Sequence, residues 1–309
     1  MTDTRPPLVS VLVPAYKRAD TIVAAVRSAL DQTWTNLEVV VVDDHSEDGT
    51  ERALAEIDDD RVTLLTHETN RGGNAARRTA IEASRGEFLA FLDADDLWLP
   101  TKVEKQVAAL EAGGPTAGLS YTWYDLRYPD GRLEAGRRPT ASGVRALELL
   151  QANVIGTFSC VMVRREVVDT VGTPDPGLPS CQDWEFYLRV NEEWSIECVP
   201  EVLVHYWRDD SDVHRISASA AKVSAGHREV YARIVDRLST LPPSEATAGH
   251  RYFLEIFGNH ADVGGVARVM THLPVRHLTA ADVRFAAHMA VRAARKSAAA
   301  AHARRRAGR

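Results

Sequence analysis

The sequence predicts an α/β fold: a mostly parallel central sheet with flanking helices, followed by a helical C-terminal extension. Three observations predict it. Across residues 1–112, short apolar runs and amphipathic stretches alternate, strand then helix, four times. Those runs are apolar throughout rather than alternating, which marks strands buried on both faces. Past Ser217 the strand pattern gives way to helical periodicity, interrupted at Pro242-Pro243 and Pro274.

Each element has a local reason. Residues 8–14 form a Val-rich run ended by Pro14. Asp20 can cap a helix whose apolar row is Ile22, Val26 and Leu30, spaced i, i+4 and i+8. Residues 37–42 are a second run, with Asp43-Asp44 at its end. Asp48 followed by Glu51 reads as a helix start carrying Leu54 and Ile57. Residues 62–65 give a third strand. Gly72-Gly73 opens a helix through Ala76, Ala80 and Ala83 that closes near Gly86. Residues 88–92 are a fourth strand leading into Asp93. Pro100, with Thr101 and Glu104 as a capping box, starts a helix bearing Val103, Val107 and Leu110. Right-handed crossovers then give a parallel sheet, whose ligands collect beyond the strand C-termini. Asp43, Asp44, Asp93 and Asp95 all fall there.

The middle is less regular. Residues 119–128 and 132–136 can form a hairpin about Pro129-Asp130-Gly131. Residues 142–152 read as helix and 159–163 as strand. A Pro/Gly loop over 174–179 delivers Gln182-Asp183-Trp184-Glu185 into a helix, and 202–207 is a last strand. The expected organisation is a catalytic domain over 1–216, divided into halves 1–112 and 113–216, with a helical region over 217–309.

Composition excludes several classes. With 45% apolar and 26% charged residues the chain is a globular mixture, not a disordered or collagen-like one. No apolar run reaches the ~18 residues of a membrane span, and residues 1–7 carry no signal-peptide core. Cys160, Cys181 and Cys198 show no CxxC spacing, which suits a reducing cytosol. The expected location is cytoplasmic, with peripheral contact at the inner membrane face through a basic tail. From Arg284 to Arg309 there are eight Lys/Arg and no Asp or Glu, so the rest carries −14 against −6 for the whole chain. A body this acidic is a poor nucleic-acid binder.

The strongest chemical signal is Phe91-Leu92-Asp93-Ala94-Asp95-Asp96. Carboxylates at i and i+2 beyond a buried strand can point together into a crevice. Hard oxygen ligands there suit Mg²⁺ or Mn²⁺, and such an ion can bridge a diphosphate.

Four segments occur in order: Val9–Tyr16, with Pro14-Ala15-Tyr16 at its end; Val40–Thr50, with Asp43-Asp44; Asn70–Arg77, with Gly72-Gly73; and the Asp93–Asp96 turn. Together they resemble the family 2 glycosyltransferases of GT-A fold, closely over 9–112 and more loosely to about 217. The resemblance implies an inverting, non-processive transferase using a nucleoside-diphosphate sugar, UDP-linked by expectation, and Mn²⁺ or Mg²⁺. By the same resemblance Pro14, Ala15 and Tyr16 are the first nucleotide-contacting loop. Asp44, or its neighbour Asp43, accepts from a uracil-type N3–H, which an acceptor-only carboxylate can select. Arg77 is the helix arginine near the nucleotide. Asp95 is the first choice for direct metal contact, and Asp93 lies nearer the ribose or the ion's water shell. Asp96 is a substitute for either.

Transfer to an acceptor hydroxyl also needs a base. Gln182-Asp183-Trp184-Glu185 resembles the family's acidic-Asp-Trp segment, with Gln182 in the usual acidic place, Asp183 as base and Glu185 as fallback. Trp184 and Glu185 are expected near acceptor or diphosphate. A helix start favours the ionised form of Asp183. Arg208 and Arg215 match an aromatic-Arg segment near the diphosphate, and His205 or His214 is a metal-ligand candidate. The family's processive Gln-x-x-Arg-Trp segment is absent, as are GxxxxGK[ST], GxGxxG and GxSxG motifs. The acceptor is a hydroxyl on a glycan, a lipid-linked glycan or a small molecule. Two alternatives stand: a sugar nucleotidyltransferase, kept alive by Lys17-Arg18, and a non-catalytic nucleotide-sugar-binding protein.

Overall fold

The structure is a computed structural model that describes residues 6–209, 211–212 and 215–307. In chain order the elements begin β1 (Val9–Ala15), α1 (Ile22–Leu30), β2 (Leu37–Asp43), α2 (Thr50–Leu54), β3 (Val62–Thr66), α3 (Gly73–Ala83) and β4 (Phe88–Phe91). They continue β5 (Leu97–Trp98), α4 (Lys102–Ala112), β6 (Ala117–Arg127), β7 (Leu133–Ala135), α5 (Leu147–Gln151), β8 (Val161–Arg164), α6 (Arg165–Val171), α7 (Gln182–Glu193) and β9 (Ser195–Trp207). The helices α8 (Ala220–Ser239), α9 (Pro243–Asn259), α10 (Val263–His272) and α11 (Ala280–Ala307) follow.

Two compact units divide the chain. The first comprises residues 1–146, 154–176 and 183–212 and holds the whole sheet, in the order β3-β2-β1-β4-β8-β6-β9-β5 with β7 beside β6. β3, β2, β1 and β4 run parallel, as their apolar runs require. Beyond β4 the sheet is mixed: β8 is antiparallel to both β4 and β6, β9 is parallel to β6, and β5 is antiparallel to β9. The expectation of a mostly parallel sheet therefore holds for the first half only.

An aromatic cluster seats α7 near the end of β4. The Phe91 ring lies 5.1 Å from Phe158 and 6.0 Å from Phe186, and Phe158 lies 5.8 Å from Tyr187. All four rings are buried. Burial of each such side chain stabilises by about 1.5–3 kcal/mol, and tilted ring pairs add ~0.5–1.5 kcal/mol. This packing fixes the first turn of α7, with Asp183, relative to the turn that follows β4.

The second unit comprises residues 147–153, 177–182 and 213–309. α9 is its centre, packed by α8, α10 and α11. Tyr231 stacks 4.8 Å from Phe253, and Asp262 caps α10 by accepting from Gly265 N at 2.8 Å. Gly258 lets α9 approach α11, since a Cβ there would sit 2.9 Å from Met289 Sδ. Among the described residues no helix is long and apolar enough to cross a membrane. The expected boundary at 216–217 is modified by two excursions. α5 packs on α9, with Gln151 Nε2 donating to Glu245 O at 3.2 Å. Ser180 Oγ donates to Lys222 O at 2.9 Å.

Several local expectations change. Thr21, not Asp20, is the N-cap of α1 and makes no side-chain cap bond. Thr101 caps α4 only by position, because Glu104 accepts instead from Thr33 Oγ1 at 2.8 Å. The helix expected over 142–152 contracts to α5, since Gly143 pairs with Ile196 as an isolated bridge. The basic end is helical to Ala307.

Candidate functional site

The site is built on the C-terminal ends of β1, β2 and β4, all within the first unit. Asp43 is the last residue of β2, is buried, and accepts from the Ser46 hydroxyl. Ser46 Oγ in turn receives Lys17 N at 2.9 Å, which ties the loop after β1 to the loop after β2. Pro14 and Ala15, expected in that loop, are instead the last residues of β1, Tyr16 opens the loop, and Ala15 O accepts from Asp44 N at 2.8 Å.

Asp44 faces a different set of partners. Its Oδ1 lies 2.7 Å from His67 Nδ1 and accepts from Arg71 N at 2.9 Å, while Oδ2 accepts from Gly72 N at 2.7 Å. His67 Nε2 lies 2.9 Å from Thr79 Oγ1 on α3. The carboxylate thus holds the start of α3, where Gly72 adopts φ +91°, a conformation that favours glycine.

α3 carries Arg77 into the centre. Arg77 is buried, donates from Nη2 to Asp93 Oδ1 at 2.5 Å and from Nη1 to Asn74 Oδ1 at 3.0 Å, and stacks 4.3 Å above the Phe158 ring. Its Nε is buried with no hydrogen-bond partner among the described residues. Asp93 also accepts from Thr157 Oγ1 at 3.2 Å. Asp95 pairs with Arg18 Nε at 3.2 Å. Asp96 points inward: it is fully buried and Oδ1 accepts from Trp207 N at 2.8 Å, while Oδ2 has no partner among the described residues. Burial first, and then the charges of Asp95 and Asp93, push its carboxyl well above the ordinary range. That favours a neutral Asp96, which lacks the charge expected of a substitute for Asp93 or Asp95.

Asp183 occupies the first turn of α7, half-buried, with Oδ1 accepting from Trp184 N at 2.7 Å. The buried Tyr187 hydroxyl, one turn on, is pushed up by burial and then by the negative charge of Asp183, with Asp93 and Arg77 also acting on it. Asp183, Tyr187, Arg77 and Asp93 are therefore electrostatic neighbours. Trp184 is a core residue, 1% exposed. Glu185 is also buried, and Arg189 pairs with both its oxygens at 2.7 and 3.1 Å. Those contacts give Glu185 a task in the fold, apart from any solvent-facing role.

Arg208 is exposed just past β9, where its N–H donates to Arg127 O at 2.8 Å. Arg215 lies in the second unit, before a short 3-10 turn at Ile216–Ala218. His205 lies on β9, opposite Leu97 and Asp125, and burial lowers its imidazole below the usual value. His214 lies outside the described residues. Among the described residues no three His, Cys, Asp or Glu side chains form a ready cage for a cation. Asp93 and Asp95 are hard oxygen donors, paired here with Arg77 and Arg18 respectively. Mg²⁺-type ions typically use one or two carboxylates, completing their shell with water and substrate phosphate, so this donor set fits an ion shared with a diphosphate.

Sequence reasoning did not single out His67, Tyr187 or Thr157 and gave Arg18 no role in this site. Their partners lie far along the chain, and only the adjacent Lys17-Arg18 charge pair was a visible signal. A cavity of about 560 Å³ lined by Arg228, His260 and Asp262 is in the second unit and contains none of the candidate residues.

Residues 10–172 match the family model described as glycosyl transferase family 2. The chain is 43% identical over 103 residues to the Escherichia coli UDP-Glc:alpha-D-GlcNAc-diphosphoundecaprenol beta-1,3-glucosyltransferase WfgD, covering 33% of this chain and 41% of that protein. It is 34% identical over 171 residues to the putative teichuronic acid biosynthesis glycosyltransferase TuaG of Bacillus subtilis (strain 168), covering 55% of this chain and 67% of that one. The structure of S. aureus TarS 1-349 in complex with UDP-GlcNAc superposes with a TM-score of 0.63 at 18% identity, over 87% of this chain and 82% of that one. At that identity the likeness shows the fold, which is GT-A. The family match spans more than half of the sequence, and the chain belongs to glycosyl transferase family 2.

Proposed function

We propose that this chain is an inverting, single-transfer glycosyltransferase that moves a sugar from a UDP-sugar to a glycan hydroxyl in polysaccharide or glycoconjugate assembly. The observation that supports the proposal is that Asp183, in the first turn of α7, and the Arg77–Asp93 pair all act electrostatically on the buried Tyr187 hydroxyl. WfgD and TarS, whose names or complexes specify UDP-sugars, support the donor class.

The proposed chemistry is a direct displacement. The acceptor oxygen attacks the sugar C1 as the bond from C1 to the diphosphate oxygen breaks, and the nucleoside diphosphate leaves with that electron pair. Asp183 takes the acceptor proton. Asp43 or Asp44 reads the base edge, the Pro14-Ala15-Tyr16 segment lies along the nucleoside, and Arg77 orients Asp93. Asp95, with Asp93, would hold Mn²⁺ or Mg²⁺, which when bound supplies positive charge to the leaving diphosphate. Arg208, just past β9, is the proposed cation for the diphosphate.

The test is UDP release from a panel of UDP-sugars with glycan acceptors, comparing wild type with Asp183→Asn. Loss of a positioned base costs about 10²–10⁴-fold in rate. Wild-type turnover by a folded Asp183→Asn protein would refute the assignment.

A further inference from the structure

The outward face of α11 carries a cationic stripe. Ala286, Met289 and Ala293 are its buried positions. At 100° per residue, Arg284, His288, Val291, Arg292, Arg295 and His302 fall on the opposite side, and all six are exposed. After Asp282 the helix contains no carboxylate. Among the described residues Arg284, Arg292 and Arg295 have no ion-pair partner. From Ala294 to Ala303 every residue is exposed, and Lys296 Nζ ties the segment to α9 by donating to Asn259 O at 2.9 Å.

Helical segments this rich in alanine need no cation stripe to remain helical, and repulsion between like charges at i and i+4 opposes it. The stripe is therefore a local cost to the helix that an external anion would relieve. One exposed apolar side chain lies within it: Val291 is 49% exposed.

We infer that the outward face of α11 is a docking surface for an anionic lipid bilayer. The stripe supplies charge complementarity to lipid phosphates, and Val291 supplies apolar contact at the headgroup boundary. A nucleic acid fits less well, because its phosphate backbone offers no apolar layer to Val291 in the middle of the stripe. The inference is independent of the donor site and of any glycosyl transfer.

The test is co-sedimentation of the full chain with phosphatidylcholine vesicles containing roughly one-third phosphatidylglycerol, against pure phosphatidylcholine. Two triple variants with equal charge change are compared: R284Q/R292Q/R295Q on α11 and R27Q/R52Q/R132Q on the first unit. Matching thermal melts establish that each is folded. The expected result is binding to the anionic vesicles only, weakened at least ~10-fold by the α11 variant and less than ~2-fold by the control. It should also fade above ~0.15 M salt. Absence of wild-type binding, equal loss in the two variants, or tighter binding to duplex DNA than to the vesicles at matched salt would overturn it.

Discussion

Arg18 Nε lies 3.2 Å from Asp95 Oδ2, and Nη2 of the same guanidinium lies 2.8 Å from Asp212 Oδ2. Arg77 pairs in the same way with Asp93. The two carboxylates proposed for the cation are thus each neutralised by an arginine from a different loop or helix. Arg18 should therefore compete with a divalent ion for Asp95.

Arg18→Gln is accordingly expected to tighten Mn²⁺ binding in the absence of nucleotide. The partners are only 17% exposed, so the effect should exceed that of a surface pair, at ~1 kcal/mol or about 5-fold. Electron paramagnetic resonance of free Mn²⁺ measures it. Weaker binding by the variant would mean that Arg18 supports the ion site instead.

His67→Ala removes one donor from a buried carboxylate that also holds Arg71 N and Gly72 N. A stability loss of about 1–3 kcal/mol is expected, with weaker UDP binding as the start of α3 loosens. Urea unfolding and calorimetric titration report the two effects separately. Unchanged stability would show that water replaces the imidazole without cost.

Glu185→Gln separates a structural carboxylate from a catalytic one. Its partner Arg189 also donates to Val171 O and to Thr173 O at 3.0 Å. Weakening this buried pair is expected to lower the stability, by ~1–3 kcal/mol after allowance for the partial exposure of Arg189, and a thermal melt reads the loss. Transfer by the folded fraction should stay near wild type. A large loss of turnover without a loss of stability would make Glu185 the base.

Lys102 gives the protein a pH signature. It is fully buried 3.9 Å above the Trp98 ring, with Nζ donating to Gln106 Oε1 at 2.5 Å, and burial lowers its ammonium to about 7. Between about pH 7 and the ordinary value of 10.5 the unfolded chain binds this proton and the folded chain does not. This group therefore makes stability rise with pH across that window, and below it the full penalty applies. Lys102→Met should flatten the rise of the urea midpoint between ~pH 7 and 9. An identical slope in the variant would mean that the amine stays charged when folded.

The parallel half of the sheet was legible because β1, β2 and β4 are apolar runs with turn chemistry at their ends. β9 was only half legible. Its residues Pro200 and Glu201 bulge where the register passes from Thr122↔Val199 to Trp123↔Val202, and proline cannot donate to a ladder. The sequence pattern therefore broke there. β5 is two residues long, and α6 follows β8 with no loop between them, so neither leaves a period to read. In the site, carboxylates at strand ends announced themselves by position. Arg18 and His67 did not, because their partners Asp95 and Asp44 are brought to them by the fold rather than by neighbours in sequence.

The central claim is that Asp93 and Asp95 hold a divalent ion together with a uridine diphosphate. The most direct measurement is calorimetric titration of UDP into wild type and Asp95→Asn, each with and without Mn²⁺. The expected result is UDP binding that is strengthened by Mn²⁺ in wild type, with that strengthening lost in Asp95→Asn. UDP binding of equal strength in all four experiments, or none in any, would contradict the claim.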